Sequence, residues 1–585
     1  MAEPGAAPRP NPRLQAWLGI PLSTGPSVAW DSETVVYLSN EGGFYQPWAI
    51  PRRGGPARRI HVGAERTQRL LANPRAPVAL LVGDAGGNER SQFELLPLEG
   101  RDRAARPVTS EPEVIHSLGA WDSEGRWLYY TSNRRDRRFF DVYRRDPGRE
   151  GSEEMVRHED AHLTVHDVRD DRLLVERSNT NLDGDLFLSV GGDWRHLNPH
   201  EGEETVLAAA IGEDAVYAAA NPSREFCALV RYRTSGGGAE FLKEYPGDVE
   251  LLKVSPDGRG ILLAINRAGM SETHLYDPST GEDRPLLSGP KGVIQTIAWC
   301  PDGAGFAYDV SYSEGQDIYY RAIETGKERR LTRPTMSLPV PPVEPRSGRI
   351  RASDGVTIPY WEYVSRASPV RGTIVQVHGG PESQARPGFL PIVQFLVSEG
   401  WRVLLPNVRG STGYGRTFVH LDDVRRRMDS VRDLKEVVEA AVREGRAERG
   451  RIGVIGGSYG GFMVLSALTT YPDLFAVGVE VVGIANFLTF LEKTAPWRRP
   501  LRESEYGSLE HDREFLRSIS PVFHADRITA PLLVVHGRND PRVPFEEAEQ
   551  IVETLQKLGR RVELMEYAQE GHGMHRRDDQ LEAYT

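Results

Sequence analysis

Residues 451–461, RIGVIGGSYGG, combine an apolar strand with a glycine-rich turn around Ser458. The run FMVLSALTTY follows at 462–471 and predicts an apolar helix. The pattern G-x-S-x-G between a strand and a helix is typical of a nucleophile elbow, because the glycines let a strained turn pass close to neighbouring strands. We therefore predict that Ser458 projects above a sheet as a nucleophile, and that the N–H of Tyr459 faces a developing oxyanion.

The sequence on both sides of this turn alternates apolar strands with amphipathic helices. Strand-like runs lie at 373–378, 402–407, 451–456, 476–482 and 531–537, and helical patterns lie at 433–444 and 545–558. Strands that are buried on both faces and joined by helices predict a doubly wound, mostly parallel sheet. We assign residues 349–585 to an α/β-hydrolase catalytic domain.

A serine hydroxyl is a weak nucleophile and needs a base that is held by a carboxylate. In this architecture the expected chain order is Ser, Asp, His. Asp540 follows the strand at 531–537, and His572 lies further on in a glycine-flanked loop, so both are predicted to act with Ser458. His575 is an alternative base that lacks the flanking glycines. The second oxyanion donor is predicted to be the N–H of Gly380, in the HGGP turn after the strand at 373–378.

The first half of the chain repeats with a period of about 45 residues. A polar turn followed by an apolar strand recurs near Asp31, Pro74, Asp122, Asp170, Glu213, Asp257 and Asp302. Even spacing over seven units favours a β-propeller over a pair of β-sandwiches. We predict an N-terminal extension at 1–21, an all-β seven-bladed propeller at 22–333 and a proline-rich linker at 334–348.

Composition excludes several classes of protein. The 585 residues are 39% hydrophobic with a net charge of −11, and both signs of charge are scattered along the chain. This balance argues against disorder and against the basic surface of a nucleic-acid binder. No run approaches the length of a membrane helix, no secretory signal is visible, and the two cysteines show no disulfide or metal-ligand spacing. We expect a cytoplasmic protein without a metal, cofactor, nucleic-acid partner or membrane partner, and we leave a homo-oligomer open.

Five motifs together resemble the prolyl oligopeptidase family of serine peptidases, and most closely its acylaminoacyl-peptidase branch. They are HGGP (378–381), NVRGSTGYGR (407–416), GGSYGG (456–461), HGRNDPRVP (536–544) and GHG (571–573), behind a seven-bladed propeller. The resemblance implies the triad Ser458, Asp540 and His572. It also implies that Arg542 contacts a backbone carbonyl of bound peptide, the alternative being a salt-bridged loop arginine. The N-terminal extension, through residues 15–18, is implied to fold back onto the hydrolase.

These features predict a serine peptidase that cleaves short peptides through an acyl-enzyme, and the family's architecture implies that the propeller limits substrate size. The products would be N-acylated amino acids, or oligopeptide fragments. The alternatives are a carboxylesterase, a dipeptidyl peptidase that holds a free amine with Glu153 and Glu154, a carboxypeptidase that uses propeller arginines, and an inactive scaffold. The segment around Glu153 and Glu154 better matches a charged hairpin loop.

Overall fold

The computed structural model describes residues 10–100, 104–235, 238–286, 289, 291–333, 338–367 and 369–585. The start of the predicted extension (1–9) and part of the predicted linker (334–337) lie outside these ranges. The described chain forms seven four-stranded antiparallel sheets and one eight-stranded sheet. The predicted seven-bladed propeller and α/β-hydrolase sheet are therefore confirmed. None of the helices in the described ranges has the length and apolar character needed to cross a membrane.

Each of the seven small sheets, blades 1 to 7, consists of four consecutive strands. In chain order these are β1 Ser23–Val28, β2 Thr34–Ser39, β3 Gln46–Pro51 and β4 Arg58–Arg59; β5 Thr67–Ala72, β6 Val78–Gly83, β7 Gln92–Pro97 and β8 Arg106–Pro107; β9 His116–Trp121, β10 Leu128–Ser132, β11 Asp141–Arg145 and β12 Glu154–Arg157; β13 His162–Arg169, β14 Arg172–Ser178, β15 Gly184–Val190 and β16 Asp193–His196; β17 Val206–Ile211, β18 Ala215–Ala220, β19 Ala228–Arg233 and β20 Ala239–Lys243; β21 Asp248–Val254, β22 Ile261–Arg267, β23 Met270–Tyr276 and β24 Asp283–Pro285; β25 Ile297–Trp299, β26 Gly305–Tyr312, β27 Gly315–Ala322 and β28 Glu328–Arg330.

The repeated sequence pattern corresponds to the second and third strands of each blade, which carry most of the buried side chains. In blade 5, for example, all six residues of β18 are buried. The first strands of most neighbouring blades contact one another, as β9 contacts β13 and β17 contacts β21, and these strands form the inner ring. The turn at 255–259 joins β21 to β22, and Gly258 there has φ of 75°, a left-handed conformation that glycine adopts at little cost.

Blade 7 closes the ring against blade 1 around the buried side chain of Asp309. One carboxylate oxygen accepts hydrogen bonds from Thr24 Oγ1 at 2.5 Å and from the N–H of Gly25 at 3.2 Å, both in blade 1. The other oxygen accepts from the N–H groups of Gln295 and Thr296 at 3.0 and 2.8 Å. A single buried acceptor therefore joins the two ends of the propeller.

The eight-stranded sheet has the order β29-β30-β32-β31-β33-β34-β35-β36, antiparallel at β29, β30 and β32 and parallel from β32 onward. Its strands are β29 Arg346–Arg351, β30 Thr357–Tyr363, β31 Thr373–Val377, β32 Arg402–Pro406, β33 Ile452–Gly457, β34 Val477–Val481, β35 Leu532–Gly537 and β36 Val562–Tyr567. The α-helices of the described chain are α1 Pro12–Leu18, α2 Pro391–Ser398, α3 Arg416–Val419, α4 Arg427–Arg443, α5 Tyr459–Thr470, α6 Phe487–Lys493, α7 Arg499–Tyr506, α8 Arg513–Ile519, α9 Glu546–Lys557 and α10 Arg577–Ala583.

Helix α1 packs on the hydrolase, where Leu14, Trp17 and Leu18 form an apolar cluster with Phe389 and Phe395. The indole N–H of Trp17 donates to Ser398 Oγ at 3.3 Å. Strand β29 begins at residue 346, inside the segment that the proline pattern assigned to the linker. The exact domain limits therefore stay predictions.

The propeller faces the hydrolase with the loops that join the second and third strands of its blades. In blade 2 the carbonyl of Gly86 accepts from Asn539 Nδ2 at 2.9 Å. Next to it, Gly87 lies against Gly571 so closely that a Cβ on Gly87 would stand 2.5 Å from Gly571 N. In blade 4 the amide of Asn181 donates to Glu382. These contacts place the propeller over the carboxyl ends of the parallel strands.

Candidate active site

Ser458 lies at the sharp turn between β33 and α5, with φ of 58° and ψ of −123°. A left-handed φ is strained for a non-glycine residue, so the surrounding packing must hold it in place. That packing is tight, because a Cβ on Gly456 would stand 2.3 Å from Gly460 O, and one on Gly460 would stand 2.4 Å from Val377 O. The glycines at both ends of the motif are thus required by close backbone approach.

The HGGP turn lies beside Ser458, as the sequence predicts. A Cβ on Gly379 would stand 3.2 Å from the Cβ of Ser458. Among the described residues, no acceptor bonds the N–H of Gly380 or of Tyr459, so both donors are free to bind an oxyanion. The hydroxyl of Tyr506 donates to the carbonyl of Gly380 at 3.2 Å and fixes the orientation of the turn.

The motif at 407–416 supports this turn. His378 Nε2 contacts Ser411 Oγ at 2.9 Å, and the N–H of Thr412 donates to Ser383 O at 2.9 Å. Asn407 Oδ1 accepts from the N–H of Ala385 at 2.7 Å. His378 therefore has a structural partner, and the loop that follows HGGP is held at both of its ends.

Asp540 and His572 lie at the carboxyl ends of β35 and β36, and His572 Nδ1 is 2.7 Å from Asp540 Oδ2. The other oxygen of Asp540 accepts from the N–H groups of Arg542 and Val543 at 2.8 and 3.0 Å. Burial alone would raise the pKa of Asp540, but the charge of His572 and the hydrogen bonds of His536 and His572 outweigh burial and lower it. The carboxylate is therefore held ionised and can orient the imidazole.

Within the part of the chain that the structure describes, Ser458 and His572 are not joined by a hydrogen bond. Among the described residues, neither Ser458 Oγ nor His572 Nε2 has a hydrogen-bond partner. Nucleophile–base contacts in unliganded sites are often long and tighten when substrate binds. The Asp–His half of the predicted triad is thus assembled, and the Ser–His contact would have to form on binding.

Arg542, the predicted substrate-binding arginine, is paired with the propeller. Its Nε lies 2.5 Å from Glu89 Oε1, in the same blade 2 loop that contacts Asn539. Arg498 binds the other oxygen of Glu89 at 2.7 Å. The side chain of Arg542 is still 44% exposed. It remains accessible to a bound peptide.

A cavity of about 250 Å³ lies between blade 4 and the hydrolase, beside the candidate site. It is lined by His162, Glu176, Ser178, Thr180, Asn181, Trp497, Arg498, Leu501 and Arg502. Through Asn181 it reaches Glu382, two residues after Gly380, and through Arg498 it reaches the Glu89–Arg542 pair. A larger cavity of about 660 Å³ shares four of these residues and extends to the exposed side chains of Arg138 and Asp160.

Sequence reasoning missed a buried charge cluster beneath the elbow. Arg427 bonds both Asp422 and Glu505, and the hydroxyl of Tyr459 lies 2.7 Å from Ser430 Oγ. The carboxylates of Asp422, Asp423 and Glu505 approach one another closely enough for a metal ion. However, the guanidinium of Arg427 already neutralises two of them, so the cluster is an ion-pair network that anchors α5.

Comparisons with known proteins agree with this architecture. The sequence profile of the prolyl oligopeptidase family matches residues 387–585, which include Ser458, Asp540 and His572. The chain is 35% identical over 253 residues to dipeptidyl peptidase family member 6 of Caenorhabditis elegans, over 42% of this chain and 34% of that protein. The chain thus spans about a third of that relative's length.

Two further proteins match over nearly the whole chain. The chain is 26% identical to dipeptidyl aminopeptidase BIII of Pseudoxanthomonas mexicana, over 96% of this chain and 85% of that protein. The solved structure of Pyrococcus horikoshii acylaminoacyl peptidase superposes with a TM-score of 0.73 at 21% identity, covering 98% of this chain and 95% of the other. The latter likeness extends the shared fold over the propeller as well as the hydrolase.

Proposed function

We propose that this chain, whose residues 387–585 match the sequence profile of the prolyl oligopeptidase family, hydrolyses short peptides through an acyl-enzyme on Ser458. The observation that carries the proposal is the hydrogen bond of 2.7 Å between His572 Nδ1 and Asp540 Oδ2, at the same sheet edge as the strained turn of Ser458. This pair would supply an oriented base at the sheet edge from which the hydroxyl of Ser458 projects.

In the proposed reaction His572 Nε2 removes the proton from Ser458 Oγ as that oxygen attacks the scissile carbonyl carbon. The N–H groups of Tyr459 and Gly380 stabilise the oxyanion, and His572 then protonates the leaving amine. Water attacks the resulting ester by the same route and releases the acyl product. Arg542 is proposed to hold a backbone carbonyl of the peptide.

The propeller is proposed to restrict substrate size. Its blade 2 and blade 4 loops contact the residues that follow Asp540 and Gly380, which supports a covered site reached through the cavities described above. Cleavage of folded albumin at the rate of a short peptide would contradict this proposal.

Two buried, unpaired cysteines support a cytoplasmic location, which cell fractionation would test.

The decisive experiment compares Ser458→Ala with Ser383→Ala on peptide p-nitroanilides and with a fluorophosphonate probe. Ser383 is an exposed serine of the loop after HGGP and serves as the matched control. We expect S458A to lose turnover and labelling while S383A keeps both. Turnover of S458A at the wild-type rate would refute the assignment.

A further inference from the structure

The carboxylate of Glu382 lies at the edge of the candidate site, and no cationic side chain of the described residues pairs with it. Glu382 follows HGGP directly, and its Cα is at most about 7 Å from that of Gly380. The turn is tight, because a Cβ on Gly380 would stand 2.8 Å from the backbone nitrogen of Glu382. An acid is therefore placed beside the proposed oxyanion hole.

The hydrogen bond that the Glu382 carboxylate accepts does not neutralise its charge. The amide of Asn181 in blade 4 donates to Glu382 Oε2 at 2.5 Å. Among the described residues, no lysine or arginine nitrogen lies within 4.0 Å of this carboxylate. Arg502 and Arg427 act on it only from a greater distance, and Arg427 is already bonded to Asp422 and Glu505.

The surroundings make ionisation of Glu382 unfavourable. Burial, followed by the nearby charge of Glu505, raises the pKa of Glu382. Glu176, the acid that lines the adjoining cavity, differs because its carboxylate contacts His166 Nε2 at 2.6 Å. Of these two acids, Glu382 is therefore the one whose charged form an incoming cation would stabilise more.

A peptide with a free N-terminus supplies such a cation. In the acyl part of a short substrate, the α-ammonium group lies within one or two residues of the scissile carbonyl, and that carbonyl must reach Gly380 N–H. An N-acylated substrate has no charge at this position, so it could not supply the counter-ion that favours ionisation of Glu382 in this partly buried site.

We propose that Glu382 binds the α-ammonium group of the substrate, so that the site selects peptides with an unblocked N-terminus. This inference rests on the proposed peptidase function and chooses an exopeptidase over the release of N-acylated residues. Asn181 positions the carboxylate from the propeller side, so the hydrolase and blade 4 form this binding site together.

The test uses the full-length protein and two matched pairs of substrates, aminoacyl and dipeptidyl p-nitroanilides with a free or an N-acetylated terminus. Measurements at pH 6.5 keep most of the free amine protonated, since its pKa is about 7.7–8.0. We expect the wild type to prefer the free amine. In Glu382→Gln, which keeps an acceptor for Asn181, kcat/KM on the preferred free-amine substrate should fall at least about tenfold. Its kcat/KM on the acetylated partner should change by less than about threefold.

Two further variants control the interpretation. Glu382→Asp should recover part of the free-amine activity. Glu225→Gln removes a blade 5 carboxylate that bonds Thr417 across the same domain boundary, and it should leave both substrates unaffected. Equal losses of E382Q on both substrates, or a wild-type preference for the acetylated anilide, would overturn the inference while leaving the peptidase assignment intact. If the wild type cleaves neither substrate and the probe fails to label Ser458, both proposals fall.

Discussion

Arg542 Nε and Glu89 Oε1 are 2.5 Å apart, so the loop that carries Asp540 is joined to blade 2 by an ion pair. Glu89 also binds Arg498, whose side chain is only 12% exposed and whose pKa burial lowers to about 10. One propeller carboxylate therefore compensates two hydrolase arginines. Its removal would leave a buried guanidinium without an anion, which is strongly destabilising in proteins.

Glu89→Gln should loosen the contact between blade 2 and the hydrolase at a cost of about 3 kcal/mol. We expect faster limited proteolysis and a higher rate on peptides of about thirty residues relative to a short anilide. The control is Glu65→Gln, which breaks the more exposed pair with Arg576 and should cost less than about 1 kcal/mol. Indistinguishable proteolysis of the two variants would show that the Glu89 pairs do not hold the domains together.

Asp540→Asn should lower kcat by about 10⁴, because an amide cannot stabilise the imidazolium and favours the wrong tautomer of His572.

The low pKa of Asp540 has a second consequence. A depressed folded-state pKa adds stability above the unfolded value of about 4, and this stability is lost as the pH falls further. The melting temperature of the wild type should therefore exceed that of D540N at pH 7, by a margin that shrinks below about pH 4. A margin that is constant with pH would contradict this assignment.

Two neighbouring glycines of the elbow should respond differently to an added methyl group. Gly456→Ala places a Cβ 2.3 Å from Gly460 O, whereas Gly457→Ala places one 3.6 Å from Val481 O, which is an ordinary contact. We expect G456A to lose activity and several degrees of melting temperature, and G457A to fold normally with activity within a few-fold of the wild type. Equal behaviour of the two variants in a thermal melt would argue against the close approach described here.

Glu382 should affect stability with the opposite sign to Asp540. A raised folded-state pKa adds stability only below the unfolded value of about 4.5, and this stability is lost as the pH rises toward the folded value. Glu382→Gln should therefore melt higher than the wild type at pH 8 and similarly at pH 4.5. Glu225→Gln should show no such gain, since hydrogen bonds from Thr417 lower the pKa of Glu225. If E382Q melts no higher than the wild type at pH 8, a cation already pairs with Glu382 in the free protein.

Asp309→Ala should weaken the closure of the propeller, because four donors from blades 1 and 7 lose their acceptor. We expect a loss of about 3 kcal/mol, seen as a lower melting temperature. Asp302→Ala is the matched control, since it also joins blade 7 to blade 1, through Arg52, but with a carboxylate that is 38% exposed. That exposed pair should be worth less than about 1 kcal/mol. A larger effect of D302A than of D309A would contradict the role assigned to the buried acceptor.

The propeller could be predicted because two strands of each blade are apolar and bounded by turns. In blade 3, β10 and β11 have this character, whereas β9 has only its two end residues buried and β12 is a short, exposed edge strand. The inner and outer strands form because they pair with neighbouring strands, and their own sequences lack the hydrophobic pattern of a buried strand. The same holds for β29, where burial is low along the whole strand.

The site was predictable where chemistry follows a local motif and not where it depends on contacts across the chain. Ser458, Asp540 and Gly380 each lie next to a strand end with characteristic neighbours. Glu382 and Glu89 do not, since their roles depend on Asn181 and Arg542, which lie 201 and 453 residues away. Only the folded chain shows that these side chains meet.

The contact between Gly87 and Gly571 joins the two domains backbone to backbone, with no side chain between them. A methyl group on either residue would enter the main chain of the other, so neither loop can change independently at this point. A propeller taken from another protein would have to bring its own glycine, in the same position, to fit this hydrolase. Domain exchange by recombination would therefore succeed here only when the incoming loop also carries glycine at this position.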